Sequence, residues 1–139
     1  MKISTKARYG LRAMIELALH YEKKTPVLMS LVSKNQNLSE KYLHILFTSL
    51  KNAKLIKSVR GKTGGFMLSK HPSKINILWI IEALEGPIVL VNCVDNKGIC
   101  KKSPKCSTIN FWKDTGNLLK KYFASMTLEN FIKKYNGRH

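Results

Sequence analysis

The chain has 139 residues, 44% of them hydrophobic, and a formal net charge of +17. The length fits one domain, or one domain with an added helix, the apolar share supports a packed core and excludes wholesale disorder, and no apolar run reaches the roughly 18–20 residues that span a bilayer. The charge comes from 25 Lys and Arg against 8 Asp and Glu, a balance that favours a polyanionic partner through counterion release.

The excess is denser at the front, where residues 1–71 hold 14 basic and 3 acidic side chains against 11 and 5 in residues 72–139. A solvated lysine-rich surface is the plainer account of the same charge. Met1–Lys6 lacks the apolar stretch of a signal peptide. A cytoplasmic location is expected, where cysteines stay reduced or metal-bound.

Ser4 or Thr5 can cap a first helix over Thr5–Tyr21, with Tyr9, Leu11, Ala13, Met14, Leu17, Ala18 and Tyr21 at helical spacing. Pro26 breaks the chain. A short helix over Met29–Asn35 turns Leu31 and Val32 inward, and Asn37 stops it. Ser39 then caps a third helix over Glu40–Asn52, whose apolar face is Tyr42, Leu43, Leu46, Phe47 and Leu50. Two β-compatible runs, Leu55–Val59 and Phe66–Ser69, flank Arg60-Gly61-Lys62-Thr63-Gly64-Gly65 and read as a hairpin. Pro72 ends it. Asn76 caps a helix through Glu85, and Gly86-Pro87 stops that one. A cysteine-bearing loop fills Val91–Ser107. A longer helix over Thr108–Ser125 carries Phe111, Leu118, Leu119, Tyr122 and Phe123 as its apolar face, and Thr127 caps a last helix over Leu128–Tyr135.

Helix, short helix, capped helix and glycine-turn hairpin is the order of a winged helix-turn-helix. The fold class is mainly α with a small β-hairpin, followed by a long C-terminal helix. The second helix of such a pair enters the major groove by its N-terminal end. Ser39, Lys41, Tyr42 and His44 stand at that end. Ser39 and the first-turn amides suit a phosphate, and Lys41 and His44 point away from the apolar face. The hairpin tip presents Arg60, Lys62 and Thr63, and an arginine there can enter a narrow minor groove. Taken singly these signals are weak: Ser39 is also an ordinary cap, His44 also a solvated histidine, and Gly61-Lys62-Thr63 lacks the spacing of a P-loop.

The chain's three cysteines, Cys93, Cys100 and Cys106, follow a C-x6-C-x5-C spacing. Soft thiolates so gathered suit an iron–sulfur cluster or zinc. Lys97, Lys101, Lys102 and Lys105 interleave with them. Their charge offsets thiolates and favours both metal uptake and direct thiol oxidation. The odd count and the lack of a C-x-x-C pair argue against a disulfide framework or a thiol oxidoreductase. No grouping of nucleophile, histidine and carboxylate points to an enzyme.

Several segments together resemble the Rrf2 family of bacterial transcription regulators, especially its iron–sulfur regulator branch. They are Met1–Gly10, Leu38–Leu43, Val59–Leu68, Ile80–Ile88, the three cysteines and Phe111–Asp114. The resemblance runs from the first residue to about Tyr135. It implies a homodimeric winged-helix repressor or activator acting on a palindromic double-stranded DNA operator, its long C-terminal helix crossing to the partner subunit. The implied division is 1–87 for the DNA-binding domain, 88–107 for the sensor loop and 108–139 for the dimerisation helix and C-terminal helix. In cluster-bearing members the loop holds a [2Fe–2S] centre, or alternatively a [4Fe–4S] centre; relatives without these cysteines regulate cysteine metabolism without a cluster.

Two positions depart from that pattern. The iron–sulfur regulator branch keeps a histidine as fourth ligand where this chain has Ile109. The nitric-oxide-sensing branch supplies a carboxylate from the first helix where this chain has Arg8. The fourth ligand is therefore unknown, with Ser107, Asn110, Asp95, His20 and His139 as candidates. The expected function is a DNA-binding regulator, a repressor, that senses iron–sulfur or redox status through Cys93, Cys100 and Cys106. A cluster-free regulator of thiol-redox state or cysteine metabolism and a non-specific nucleic-acid-binding protein are the alternatives.

Overall fold

Four polar side chains set the helix starts. In the computed structural model, which describes residues 2–96 and 98–135, Ser4 Oγ accepts the Ala7 N–H at 3.3 Å and opens α1 (Thr5–Leu19). Ser39 Oγ accepts the Tyr42 N–H at 3.1 Å and opens α3 (Glu40–Asn52). Asn76 Oδ1 accepts from Trp79 at 2.9 Å to open α4 (Ile77–Glu85), and Thr127 Oγ1 accepts from Asn130 at 3.0 Å to open α7 (Leu128–Tyr135). Each such cap is worth about 1 kcal/mol. Between α1 and α3 lies α2 (Met29–Gln36), closed by Asn37 in the left-handed conformation at φ 53°. Met1, Lys97 and residues 136–139 lie outside the described residues.

The core gathers Met14 and Leu17 of α1, Val32 of α2, Leu43, Leu46, Phe47 and Leu50 of α3, and Ile77 and Ile80 of α4. The α7 helix returns to this body. Leu128 is fully buried, and its N–H donates to Ile75 O at 2.7 Å while the Ile77 N–H donates to Met126 O at 2.9 Å.

The hairpin consists of β1 (Ile56–Val59) and β2 (Gly65–Leu68), paired antiparallel from Ile56–Leu68 to Val59–Gly65. A feature invisible in the sequence pattern anchors it. Val27 and Phe66 exchange both backbone hydrogen bonds, at 2.9 and 2.8 Å, so the segment before α2 forms one step of a third strand. This contact explains Gly65, and the tight hairpin turn explains Gly64. A Cβ on Gly65, whose φ is +152°, would lie 2.5 Å from Val27 O, and one on Gly64 would lie 2.2 Å from Val59 O.

Several sequence expectations shift. The first helix ends at Leu19, with His20 as its C-cap, although Tyr21 still packs on the core. Leu31 is exposed: on so short a helix only the Val32 side meets the core. The stretch over Val91–Ser107 is not all loop, since it contains α5 (Asn92–Asp95) and a 3-10 turn at Ser103–Lys105. The long helix, α6 (Ile109–Ser125), buries only Gly116; Leu119 and Phe123 are half-buried, while Phe111, Leu118 and Tyr122 are exposed.

Candidate nucleic-acid interface and cysteine loop

The N-terminal end of α3 stands free of the core. Ser39, Lys41 and His44 are exposed. Tyr42 is half-buried, its hydroxyl donating to Thr5 Oγ1 at 3.3 Å and its ring meeting Tyr9 edge-on at 6.1 Å between centroids. The guanidinium groups of Arg8 and Arg12 lie over Tyr9, at 5.7 and 5.2 Å from its centroid. Two α1 arginines thus stand beside the helix end that carries Ser39 and Tyr42, a neighbourhood that residue order alone did not reveal.

Arg60, Lys62 and Thr63 are all exposed at the hairpin tip, where Gly64 N–H closes the turn onto Gly61 O at 3.0 Å. Lys62 and Thr63 share a shallow groove with Lys24, Thr25 and Pro26. The Val27–Phe66 step brings that connecting loop to the wing. Lys24 is therefore part of the same cationic edge, and no periodic signal in the sequence marked it.

The cysteines occupy three successive local structures: Cys93 on α5, Cys100 in the following turn and Cys106 after the 3-10 turn. All three are free and half-buried. Ser103, only 5% exposed, ties them together. Its hydroxyl donates to Cys93 O at 3.4 Å, its N–H donates to Cys100 O at 3.1 Å, and its carbonyl accepts from Cys106 at 3.2 Å. Each contact fixes backbone, so the thiols share a scaffold without sharing a coordination sphere. Among the described residues no three His, Cys, Asp or Glu side chains converge as a metal-holding group.

Cys106 has the most distinctive chemistry. Its Sγ lies 3.4 Å from Thr108 Oγ1. The Thr108 hydroxyl, then the Thr108 backbone N–H, holds the thiol below its usual value of 9.0; partial burial opposes this, and the Ile109 N–H adds a smaller lowering effect. These are the first groups of α6, whose N-terminal dipole favours an anion. Val94, Ser103, Pro104, Ile109, Asn110 and Lys113 enclose a cavity beside Cys106.

As a donor set, three thiolates within one loop fit a soft metal or an iron–sulfur centre at three positions. At the position where the iron–sulfur regulator branch keeps its histidine, Ile109 presents only hydrocarbon. Among the other candidates, Asn110 shares the Cys106 cavity. Ser107 and Asp95 are exposed, and His20 Nδ1 is engaged with Glu16 O at 3.0 Å. His139 lies outside the described residues.

Comparison with known proteins decides the family. The Rrf2 family model, described as an iron-dependent transcriptional regulator, matches residues 3–134.

The chain belongs to the Rrf2 family.

Its relatives include the HTH-type transcriptional regulator CymR of Bacillus subtilis, 39% identical over 137 residues that cover 99% of this chain and 94% of CymR. The solved structure of that global cysteine regulator superposes with a TM-score of 0.78 at 36% identity, covering 96% of this chain and 98% of the other. IscR of T. potens superposes equally well, at 0.78 and 31% identity, covering 100% and 92%. The Rrf2 winged helix-turn-helix is thereby the fold of this chain, and it is a transcriptional regulator of the IscR/CymR type. No helix among the described residues is long and apolar enough to cross a membrane.

Proposed function

We propose that this Rrf2 protein is a homodimeric repressor that binds a palindromic double-stranded DNA operator and senses iron–sulfur or redox status through Cys93, Cys100 and Cys106. The observation that carries the reading is continuity. The only three cysteines of the chain lie in the segment that runs into α6, and α6 exposes Phe111, Leu118 and Tyr122 at 62%, 69% and 51%. Those residues recur at i, i+7 and i+11, one stripe of a helix that a second copy can cover. A change in the thiol loop then acts on the helix that sets the spacing of two DNA-reading heads, and half-sites near one helical turn apart, or a multiple of it, fit or fail to fit.

DNA recognition is assigned to Ser39, Lys41, Tyr42 and His44 on α3 and to Arg60, Lys62 and Thr63 on the wing. The exposure of all but the half-buried Tyr42, on a body of net charge +17, supports this assignment. Cys93, Cys100 and Cys106 would hold the cluster, with a [2Fe–2S] centre preferred over [4Fe–4S]. When bound, the cluster supplies a redox-sensitive, labile group. The chain's own part is to present the thiolates, keep Cys106 ionisable through Thr108, and hold the loop through Ser103.

A second reading, a cluster-free thiol switch, is favoured by the Cys106–Thr108 contact and by Ile109, which cannot ligate a metal. Cytoplasmic location accompanies both readings. One preparation separates them. Protein purified without oxygen is assayed for iron, acid-labile sulfide and visible absorption, and is offered a randomised duplex pool. Bound iron and sulfide with selection of a palindrome support the cluster regulator. Selection without iron, even after cluster reconstitution, supports the thiol switch. Equal affinity for every duplex and for RNA would overturn both.

A further inference from the structure

Glu16 is the one carboxylate placed among the buried residues of α1, at 8% exposure. A buried carboxylate must be hydrogen-bonded to be tolerated, and both of its oxygens are. Oε1 accepts from Asn35 Nδ2 at 2.6 Å, and Oε2 accepts from Gln36 Nε2 at 3.0 Å. Gln36 is gripped from its other side as well. Arg12, one turn earlier on α1, donates from Nε to Gln36 Oε1 at 2.9 Å and from Nη2 to Gln36 O at 2.8 Å.

The place of this lock in the fold gives it a role. Asn35 and Gln36 are the last two residues of α2. The next residue, Asn37, makes the left-handed turn, and Leu38 is held by Ser33 through its N–H at 3.1 Å and its carbonyl at 2.5 Å. Ser39 then caps α3. The direction in which α3 leaves the turn therefore depends on how α1 holds the end of α2. An apolar residue at position 16 would fill the core position without desolvating a charge. A carboxylate matched to two amides instead fixes geometry.

We propose that Glu16, with Arg12, is a positioning residue for operator recognition: it locks Asn35 and Gln36 and so sets the orientation in which α3 meets DNA. The proposal rests on the reading of α3 as the DNA-reading helix. In Glu16→Gln the side chain gains an amide that faces another amide, so one donor loses its acceptor.

The test uses the 139-residue chain and a duplex that its wild-type form selects from a randomised pool. Glu16→Gln is expected to keep its helical circular dichroism and its affinity for unselected duplex, and to lose about tenfold in affinity for the selected duplex. The exchanged pair Glu16→Gln with Gln36→Glu restores one amide–carboxylate contact and is expected to recover most of that loss. A role in stability alone lowers the unfolding temperature and leaves the ratio of selected to unselected affinity unchanged. An unchanged ratio, or no recovery in the exchanged pair, overturns the proposal. Should Glu16→Gln not fold, Gln36→Ala carries the same comparison from the half-buried side of the lock. If the wild-type chain selects no duplex, the failure belongs to the DNA-reading assignment; if it selects one and Glu16→Gln binds it equally, only the lock is wrong.

Discussion

At the scale of single residues, the wing separates structural from functional demands. Gly65 is needed for shape. An alanine there is strained at φ +152° and meets Val27 O, so Gly65→Ala is expected to cost about 1–3 kcal/mol, read as a lowered midpoint in thermal unfolding. Arg60 is needed for contact. It is exposed, so Arg60→Ala should change stability by less than about 0.5 kcal/mol. Its affinity for a selected operator should fall about tenfold or more, as a groove contact of about 1–3 kcal/mol implies; unchanged fluorescence-anisotropy titrations would show that the wing does not touch DNA. Cys106 makes a pH prediction. Its pKa is lowered, so its thiolate persists to lower pH than an ordinary cysteine's. In reduced, metal-free protein, iodoacetamide should label Cys106 ahead of Cys93 and Cys100, and Thr108→Val should move its rate–pH profile upward. The caps at Ser4, Ser39, Asn76 and Thr127 were legible because short polar side chains precede apolar periodicity. Glu16 and Ser103 were not, because nothing local says that a carboxylate or hydroxyl will be buried against a distant segment.

At the scale of elements, the winged helix was readable and the C-terminal region only partly so. Helix α3 buries one stripe within this chain, Leu43, Leu46, Phe47 and Leu50, and periodicity found it. In α6 periodicity found apolar residues but not their destination. Phe123 packs onto the chain's own core, while Phe111, Leu118 and Tyr122 are exposed. A hydrophobic pattern cannot tell an internal partner from an external one, so the sequence merged two faces into one. Similarly, α5 has only four residues, too few to show a helical period. The outward stripe gives a direct test. Leu118, at 69% exposure, contributes little to the folded monomer. Leu118→Lys should therefore leave monomer helicity intact and shift sedimentation from dimer to monomer. Operator affinity should then fall steeply, since each monomer keeps only one half-site. A variant that remains dimeric would place the partner contact elsewhere.

At the scale of the whole molecule, the charge of +17 has two accounts that single residues cannot separate: a directed DNA face or a generally basic surface. The structure makes them distinguishable, because it identifies lysines in different settings. Lys62 lies on the wing groove with Lys24, whereas Lys133 sits on α7 and pairs with Glu129 at 3.6 Å. Counterion release makes the logarithm of the binding constant fall linearly with the logarithm of salt, with a slope of about −0.9 per phosphate contact. In a dimer each wing lysine counts twice. Lys62→Ala should therefore make the slope shallower by about 1.8, while Lys133→Ala should leave it unchanged. Titrations of a selected duplex at several potassium concentrations read this directly. If both variants change the slope equally, the charge acts as a diffuse cationic shell and the chain binds nucleic acid without a dedicated face. If only Lys62 does, the excess charge is organised by the fold: the Val27–Phe66 backbone step sets the wing beside the loop that carries Lys24, and this arrangement turns a compositional bias into a DNA-facing edge.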